Sequence, residues 1–558
     1  MDWLHYSWEY LIQVLSFNAS SPMIFTKFSF WGFFIIAYSV YALLYKKIAL
    51  RNGYLFLISL FFYYKTSHLF FILLLFSTVT DYYIGKAVFK SVSHYARLWL
   101  VVLSVSINLG VLIYFKYAYF FTESYNTLFH TDIEVFNHLS HWSNEWLGTH
   151  FNVNKIILPV GISFFTFQTI SYTVDIYRKR IEPVKNLIDF GFYVSFFPQL
   201  VAGPIVRANE FVPQIYQPYN LSKRMFGAAV FLILNGLVKK MVLGDFIAVN
   251  FIDRVFDNPG MYTGFESMMA LIGYSLQVYC DFSGYTDIAI GVAMLMGFYL
   301  PLNFNSPYKA QSTAEFWGRW HISLSTWLKD YLYIPLGGNR NSTWGTWISL
   351  VLILSVIVLL SGNMWFFLIF AGIAAMIVGL AFIFPGLKIA IIRDINLMIT
   401  MLYGGLWHGA SWNFVIWGGL NGLGVVWYKY WSKISPFKDS NGMLVKIYAI
   451  TATFLFITAT RIFFRADDLD TVDQMIHSMR TNFQLGLAWD IIVSYKWVFV
   501  AMLFGFIMHW LPVNVKDGYK EWFINSSLPV KISIAVVTVF VIIQFISSDL
   551  QPFIYFQF

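Results

Sequence analysis

The chain has 558 residues, 58% of them apolar and 12% charged. Soluble domains carry about 25% charged residues, so this much apolar surface cannot be hidden in a water-soluble core, and disordered, coiled-coil and collagen-like classes are excluded as well. The net charge of +8 is the modest excess that basic loops beside anionic lipid produce, not a nucleic-acid footprint.

Continuous apolar stretches such as FFILLLFSTVT and WISLVLILSVIVLL predict membrane helices rather than the alternating segments of a β-barrel. In chain order, spanning windows fall near 28–45, 54–64, 69–85, 98–121, 156–174, 226–243, 266–300, 344–361, 364–384, 411–431, 447–464, 495–511 and 528–547. Shorter pieces at 188–202 and 395–408 read as tilted spans or re-entrant helices. The expectation is an all-α polytopic membrane protein of roughly eleven to thirteen transmembrane helices, with re-entrant and amphipathic helices added. It forms one integral membrane domain over residues 1–558. MDWLHYSWEY at the start lacks a basic n-region, so no cleaved signal peptide is expected. The single cysteine, Cys280, excludes an intrachain disulfide and thiolate zinc sites, and no metal is expected.

Lys and Arg in short loops set the topology. Lys46, Lys47, Arg51, Lys86, Lys90, Arg97 and the 178–185 group mark one side, read as cytoplasmic; the acidic 122–154 loop marks the other. The basic stretch from Lys309 to Arg340 joins the cytoplasmic side.

Four segments are too polar, Gly-rich or aromatic for plain lipid-facing helix. The first is LPVGISFFTFQTISYTVDIYR (158–178) with FFPQLVAGPIVR (196–207), whose Pro and Gly break helices at membrane depth. In the second, QVYCDFSGYTDIAIGVAMLMGFYLPLNFNSPY (277–308), Asp281 and Asp287 interrupt an apolar span. A carboxylate there costs at least ~2.5 kcal/mol, so it must face protein, water or a partner. Six positions apart, the two lie about 120° apart on a helix, which is no shared dyad; hydrogen bonds to neighbouring helices are the leading reading.

The third segment, STAEFWGRWHISLSTWLKDYLYIPLGGNR (312–340), reads as an amphipathic helix. Trp317, His321, Leu324, Leu328 and Tyr331 fall on one apolar face, Glu315 and Arg319 form an i,i+4 pair, Thr313 caps the start and Gly337–Gly338 turn the chain. In the fourth, MLYGGLWHGASWNFVIWGGLNG (401–422), His408 sits among Gly404, Gly405, Gly409, Trp407 and Trp412. Of eleven histidines, His321 and His408 alone combine an apolar, protein-facing setting with this density of Gly and Trp. A buried neutral imidazole suits general-base work.

Together with RIFFRA (461–466) and the terminal FIYFQF, these motifs resemble the membrane-bound O-acyltransferases, in the branch of the alginate O-acetyltransferase membrane subunits. The resemblance covers a catalytic core at 30–470, leaving 471–558 as C-terminal transmembrane helices; the 122–154, 432–445 and 467–530 stretches carry no motif of the family. It implies a bundle around a central tunnel, with a cytoplasmic acyl thioester, acetyl-CoA above all, entering as donor substrate and no bound cofactor. The family's two histidines match His408, the candidate base or acyl carrier, and His321, its companion. Tyr285, Asn413 or backbone N–H groups beside Gly409 are candidates for the developing oxyanion, with Asp281, Asp287, Trp317 and Trp407 supporting the tunnel. Lys309, Arg319, Lys329 and Arg340 are placed to attract donor phosphates, as ordinary positive-inside charge would also be. A periplasmic SGNH-type O-acetyltransferase partner and an exported, alginate-like polysaccharide are the implied acceptors, in a bacterial inner membrane. Two alternatives stay open: D-alanyl transfer from a carrier-protein thioester to teichoic acid, and a non-enzymatic polysaccharide transporter.

Overall fold

A computed structural model describes residues 16–18, 22–200, 203–361, 365, 368–369, 372, 385–438, 440 and 442–545. The expected span at 364–384 and the terminal FIYFQF lie outside the described residues, apart from the few just named. Helices account for the regular structure, with no strand among the described residues. The chain is a multi-pass membrane protein. Among the described residues, six helical stretches are long and apolar enough to cross a bilayer: Ile48–Lys90, His94–Phe129, Lys223–Asp257, Gly386–His408, Met443–Arg465 and Leu528–Phe545. A seventh span exists if Leu485–Ser494 and Lys496–Trp510, bent by 91°, count as one.

The sequence windows relate to these stretches in two ways. Windows at 54–64 and 69–85 share one helical stretch, interrupted at His68, whose φ is positive (53°). Others fall on helices buried in the bundle or, as with Phe28–Leu44 and Trp344–Leu359, on shorter apolar helices. Ile162–Tyr177 and the 32-residue Gly264–Leu295 are buried along most of their length and so carry polar groups that a lipid-facing helix excludes. The short 395–408 piece proves to be the end of a 24-residue helix, Pro385–His408.

Gly264–Leu295 is the axis of the bundle, and glycines let Lys223–Leu237 approach it closely. A Cβ on Gly236 would stand 2.5 Å from the Gly284 carbonyl oxygen, and one on Gly284 2.7 Å from that of Gly236. The following π turn, Val238–Asp245, turns two lysines inward.

Basic loops far apart in sequence meet at one end. Arg97 donates to the Tyr177 carbonyl at 2.5 Å, Arg178 to that of Asp330 at 3.0 Å, and Arg207 pairs with Asp330 at 2.7 Å. At the other end Tyr63 bonds Val160, Tyr114 bonds Asn137, and Tyr119 accepts from the Ile156 N–H.

Candidate functional site

His408 ends the Pro385–His408 helix, and a turn at Gly409–Ser411 leads directly into Trp412–Ile434, capped by the Ser411 side chain. These two helices pack backbone to backbone. A Cβ on Gly405 would lie 2.3 Å from the Phe414 carbonyl oxygen, and one on Gly418 2.4 Å from that of Met401. Glycine is required at both positions, which fixes where the hairpin holds His408.

The predicted 312–340 helix is broken at its histidine. Thr313–Arg319 and Ile322–Leu328 are separate helices, and His321 between them is left-handed at φ 44°. The start is capped by Ser312, one residue before the expected Thr313. The Asn303–Asn305 segment takes up the backbone groups around the break. The Ile322 N–H bonds the Asn303 carbonyl at 3.0 Å, and the Asn305 N–H bonds the Arg319 carbonyl at 2.9 Å. The Asn303 carboxamide oxygen accepts from the Ser323 N–H at 3.1 Å and hydroxyl at 2.8 Å. The break aims the imidazole of His321 inward, fully buried.

The two histidines meet: their ring centroids are 6.2 Å apart. Phe282 stacks edge-on to His321 at 4.6 Å, and Trp417 and Phe464 stand 5.0 and 5.4 Å from His408. Trp407 lies 6.0 Å from one imidazole and 5.1 Å from the other. Trp407 is itself fixed through Phe167, 5.3 Å away, which stacks face to face on Trp327 at 3.7 Å.

A cavity of about 300 Å³ reaches His408. Trp317, Leu324, Ser325, Leu328, Gly404 and Gly405 form its wall, and Lys329, Tyr333, Asn339 and Lys429 also line it. Lys329 is exposed and Lys429 half-buried. Trp317, Leu324 and Leu328 are the apolar face predicted for a single helix, so the face survives the break. The Trp317 indole N–H is buried without a hydrogen-bond partner among the described residues. A second cavity of about 910 Å³, lined by Tyr114, Phe115, Asn137, His138 and Lys155, shares no lining residue with the first.

The other candidates are placed elsewhere. Asp281 pairs with Lys240, which also holds Asp245 at 2.7 Å, and Asp287 pairs with Lys239 at 2.8 Å. Tyr285 packs on Phe25 at 5.6 Å and beside Lys240. Asn413 donates to the Ala466 carbonyl at 2.9 Å, tying the histidine hairpin to RIFFRA. Neither Tyr285 nor Asn413 lines the cavity, so the structure does not bring these oxyanion candidates to it. Arg319 is engaged by Glu315 at 2.8 Å and by the Asn305 carbonyl at 3.1 Å. Lys309 donates to the Leu511 carbonyl at 2.6 Å, and Arg340 is exposed beyond the Gly337–Gly338 turn. Of the proposed donor-binding cations, only Lys329 lines the cavity.

Sequence reasoning did not find Lys116, Asn303, Phe282, Phe464 or Lys429. Phe282, Asn303 and Phe464 lie inside quoted motifs, and Lys116 is a cation inside the 98–121 apolar window, which was its visible signal. A third histidine, His509, is also buried, accepting from the Tyr308 N–H at 3.2 Å, so burial does not single out two.

Residues 56–388 match the membrane-bound O-acyltransferase family, and the chain belongs to it. It is an O-acyltransferase. It is 33% identical over 496 residues to a peptidoglycan O-acetyltransferase of Helicobacter pylori, covering 84% of this chain and 80% of that one. To a probable alginate O-acetylase of Azotobacter vinelandii it is 35% identical over 407 residues, 72% and 67% of the two chains. A teichoic acid D-alanyltransferase of Bacillus subtilis is 27% identical over 318 residues, 55% and 69%. Family membership sets aside the non-enzymatic transporter.

Proposed function

We propose that this chain moves an acetyl group from acetyl-CoA in the cytoplasm to a hydroxyl beyond the bilayer, for O-acetylation of an exported polysaccharide in a bacterial inner membrane. The hydroxyl belongs to the polymer or to a periplasmic SGNH-type partner that relays the group to it. The observation that carries the reading is a pair of buried imidazoles 6.2 Å apart, one of them at the end of a lysine-bearing cavity. CoA is a large polyanion that stays on its own side; only its acyl group is passed on.

In this reading His408 takes the proton of the attacking hydroxyl while the hydroxyl oxygen bonds the thioester carbonyl carbon; a base of this kind supplies about 10²–10⁴ in rate. The C–S bond then breaks and the thiolate leaves with the proton His408 holds. His321 positions the second imidazole edge of the site. The Trp317 N–H, buried and lining the cavity, suits the developing oxyanion, and Lys329 and Lys429 face the donor phosphates. The acetylating relatives match more of the chain, at higher identity, than the D-alanylating one, which favours acetyl as the cargo.

The test is CoA release from acetyl-CoA, and ester formation on the exported polymer, by the full chain in its membrane. His408→Ala, purified at wild-type yield, loses transfer; full activity in that variant refutes the role. His321→Asn sharply lowers transfer, and unchanged acetylation would leave it a packing residue. A protein that ignores acetyl-CoA but accepts a carrier-bound thioester belongs to the D-alanyl reading.

A further inference from the structure

The His94–Phe129 stretch changes pitch at Ile113–Tyr117, a π turn. Such turns carry one extra residue, re-aim the side chains beside them and recur at functional sites. This one meets the end of the His408 helix with two adjacent residues. The Lys116 ammonium donates to the Trp407 carbonyl at 2.6 Å and to the His408 carbonyl at 3.1 Å. The Tyr117 hydroxyl donates to the Leu406 carbonyl at 2.8 Å. The last four carbonyls of an α-helix have no N–H of their own to accept, so three consecutive orphan acceptors are taken by one turn of a neighbouring helix. The ammonium also meets the negative end of the helix dipole and lies 5.9 Å from the Trp407 ring.

A helix end does not require a cation for this. Water, serine or asparagine would serve at lower cost, whereas an ammonium at bilayer depth costs about 2.5–3.5 kcal/mol on insertion scales. The partners that Lys116 has are carbonyls, and it does not line the cavity. What it holds is the residue at which the cavity ends.

We propose that Lys116 is the positioning residue of His408: delivered by the π turn, its ammonium clamps the terminal carbonyls so that the imidazole stays registered against His321 and the cavity. The inference rests on the reading of His408 as the base. Lys116 acts through the backbone and touches no reacting atom. Lys116→Met keeps the bulk of the stem and removes both donors, and a displacement of the base by about 1 Å costs about 10²-fold in rate.

The experiment compares the full chain with Lys116→Met, Lys116→Arg and His408→Ala, each measured for yield, thermal midpoint, kcat and donor KM with acetyl-CoA, and ester content of the exported polymer in cells. Lys116→Met should lower kcat and ester content by about 10²-fold at unchanged KM, with its midpoint within roughly 2 °C of wild type. Lys116→Arg, which keeps charge and donors, should recover at least a tenth of the wild-type rate. The inference is overturned if Lys116→Met keeps half the wild-type rate while His408→Ala is inactive. It is equally overturned if Met and Arg variants fall together in rate and midpoint. Activity retained by His408→Ala instead overturns the underlying reading.

Discussion

The contact between the two helices that carry the Gly-rich motif makes a sharp paired test. A methyl on Gly405 would sit 2.3 Å from the Phe414 carbonyl oxygen and 3.0 Å from the Gly418 Cα, all backbone. Carbon and oxygen come no closer than about 3.3 Å without strain, so Gly405→Ala must part the helices by about 1 Å. Overpacking of this kind costs about 1–3 kcal/mol, and His408 is carried three residues further along the same helix. A base moved by about 1 Å loses about 10²-fold in rate. Gly419, on the partner helix and outside the cavity lining, is the control: its added methyl meets only the tip of Leu402, at 3.3 Å, which a rotamer shift relieves, so Gly419→Ala should stay within about threefold of wild type. Initial acyl-transfer rates in vesicles, beside thermal midpoints, decide the matter. A Gly405→Ala protein within about twofold of wild-type rate would show that the hairpin does not set the place of His408.

Lys240 is almost wholly buried between Asp245 and Asp281, so Lys240→Met leaves two buried carboxylates uncompensated and should destabilise the protein by about 3–5 kcal/mol in unfolding assays, with Asp245→Asn and Asp281→Asn added together restoring part of it; an unchanged midpoint sinks the pairing argument. Asp468 caps the Leu469–Thr481 helix, accepting from the Thr471 N–H at 2.8 Å, and that bond holds its carboxyl below the usual range. Its folded value being the lower one, the contribution is complete above the unfolded value of about 4 and fades as pH falls through the folded one. Asp468→Ala should therefore cost about 1 kcal/mol at neutral pH, with the gap to wild type closing in acid and transfer rates untouched. Replacing Lys329 and Lys429 by Glu together should raise the acetyl-CoA KM at least about tenfold, a loss of about 1.4 kcal/mol, with kcat nearly constant; an unaltered KM would leave both as ordinary positive-inside charge.

Much of the site was legible because its chemistry is marked by composition. His321 and His408 stand out among Gly and Trp in apolar surroundings, and the glycines proved to be contact points rather than decoration. The six-residue spacing of Asp281 and Asp287 foretold separate partners, which adjacent lysines supply. What periodicity could not show was the break at His321, because a helix broken by one left-handed residue keeps its apolar spacing on either side. Nor could it show that Asn303, eighteen residues earlier, satisfies that break, or that Lys116, almost three hundred residues away, caps the His408 helix. Hydropathy windows could not tell a helix sheathed in protein from one bathed in lipid, a distinction that appears only when polar groups such as Gln168, Asp175 and Asp281 are found to face inward.

The backbone twist at His321 changes what a substitution there reports. Only glycine, and to a lesser degree asparagine or aspartate, occupies that region at little cost, while other residues sacrifice about 1–3 kcal/mol. Alanine at this position therefore removes a ring and unsettles a hinge in the same stroke. Asparagine and glycine preserve the bend and delete the imidazole alone, so the difference between these substitutions separates what the ring does from what the corner does.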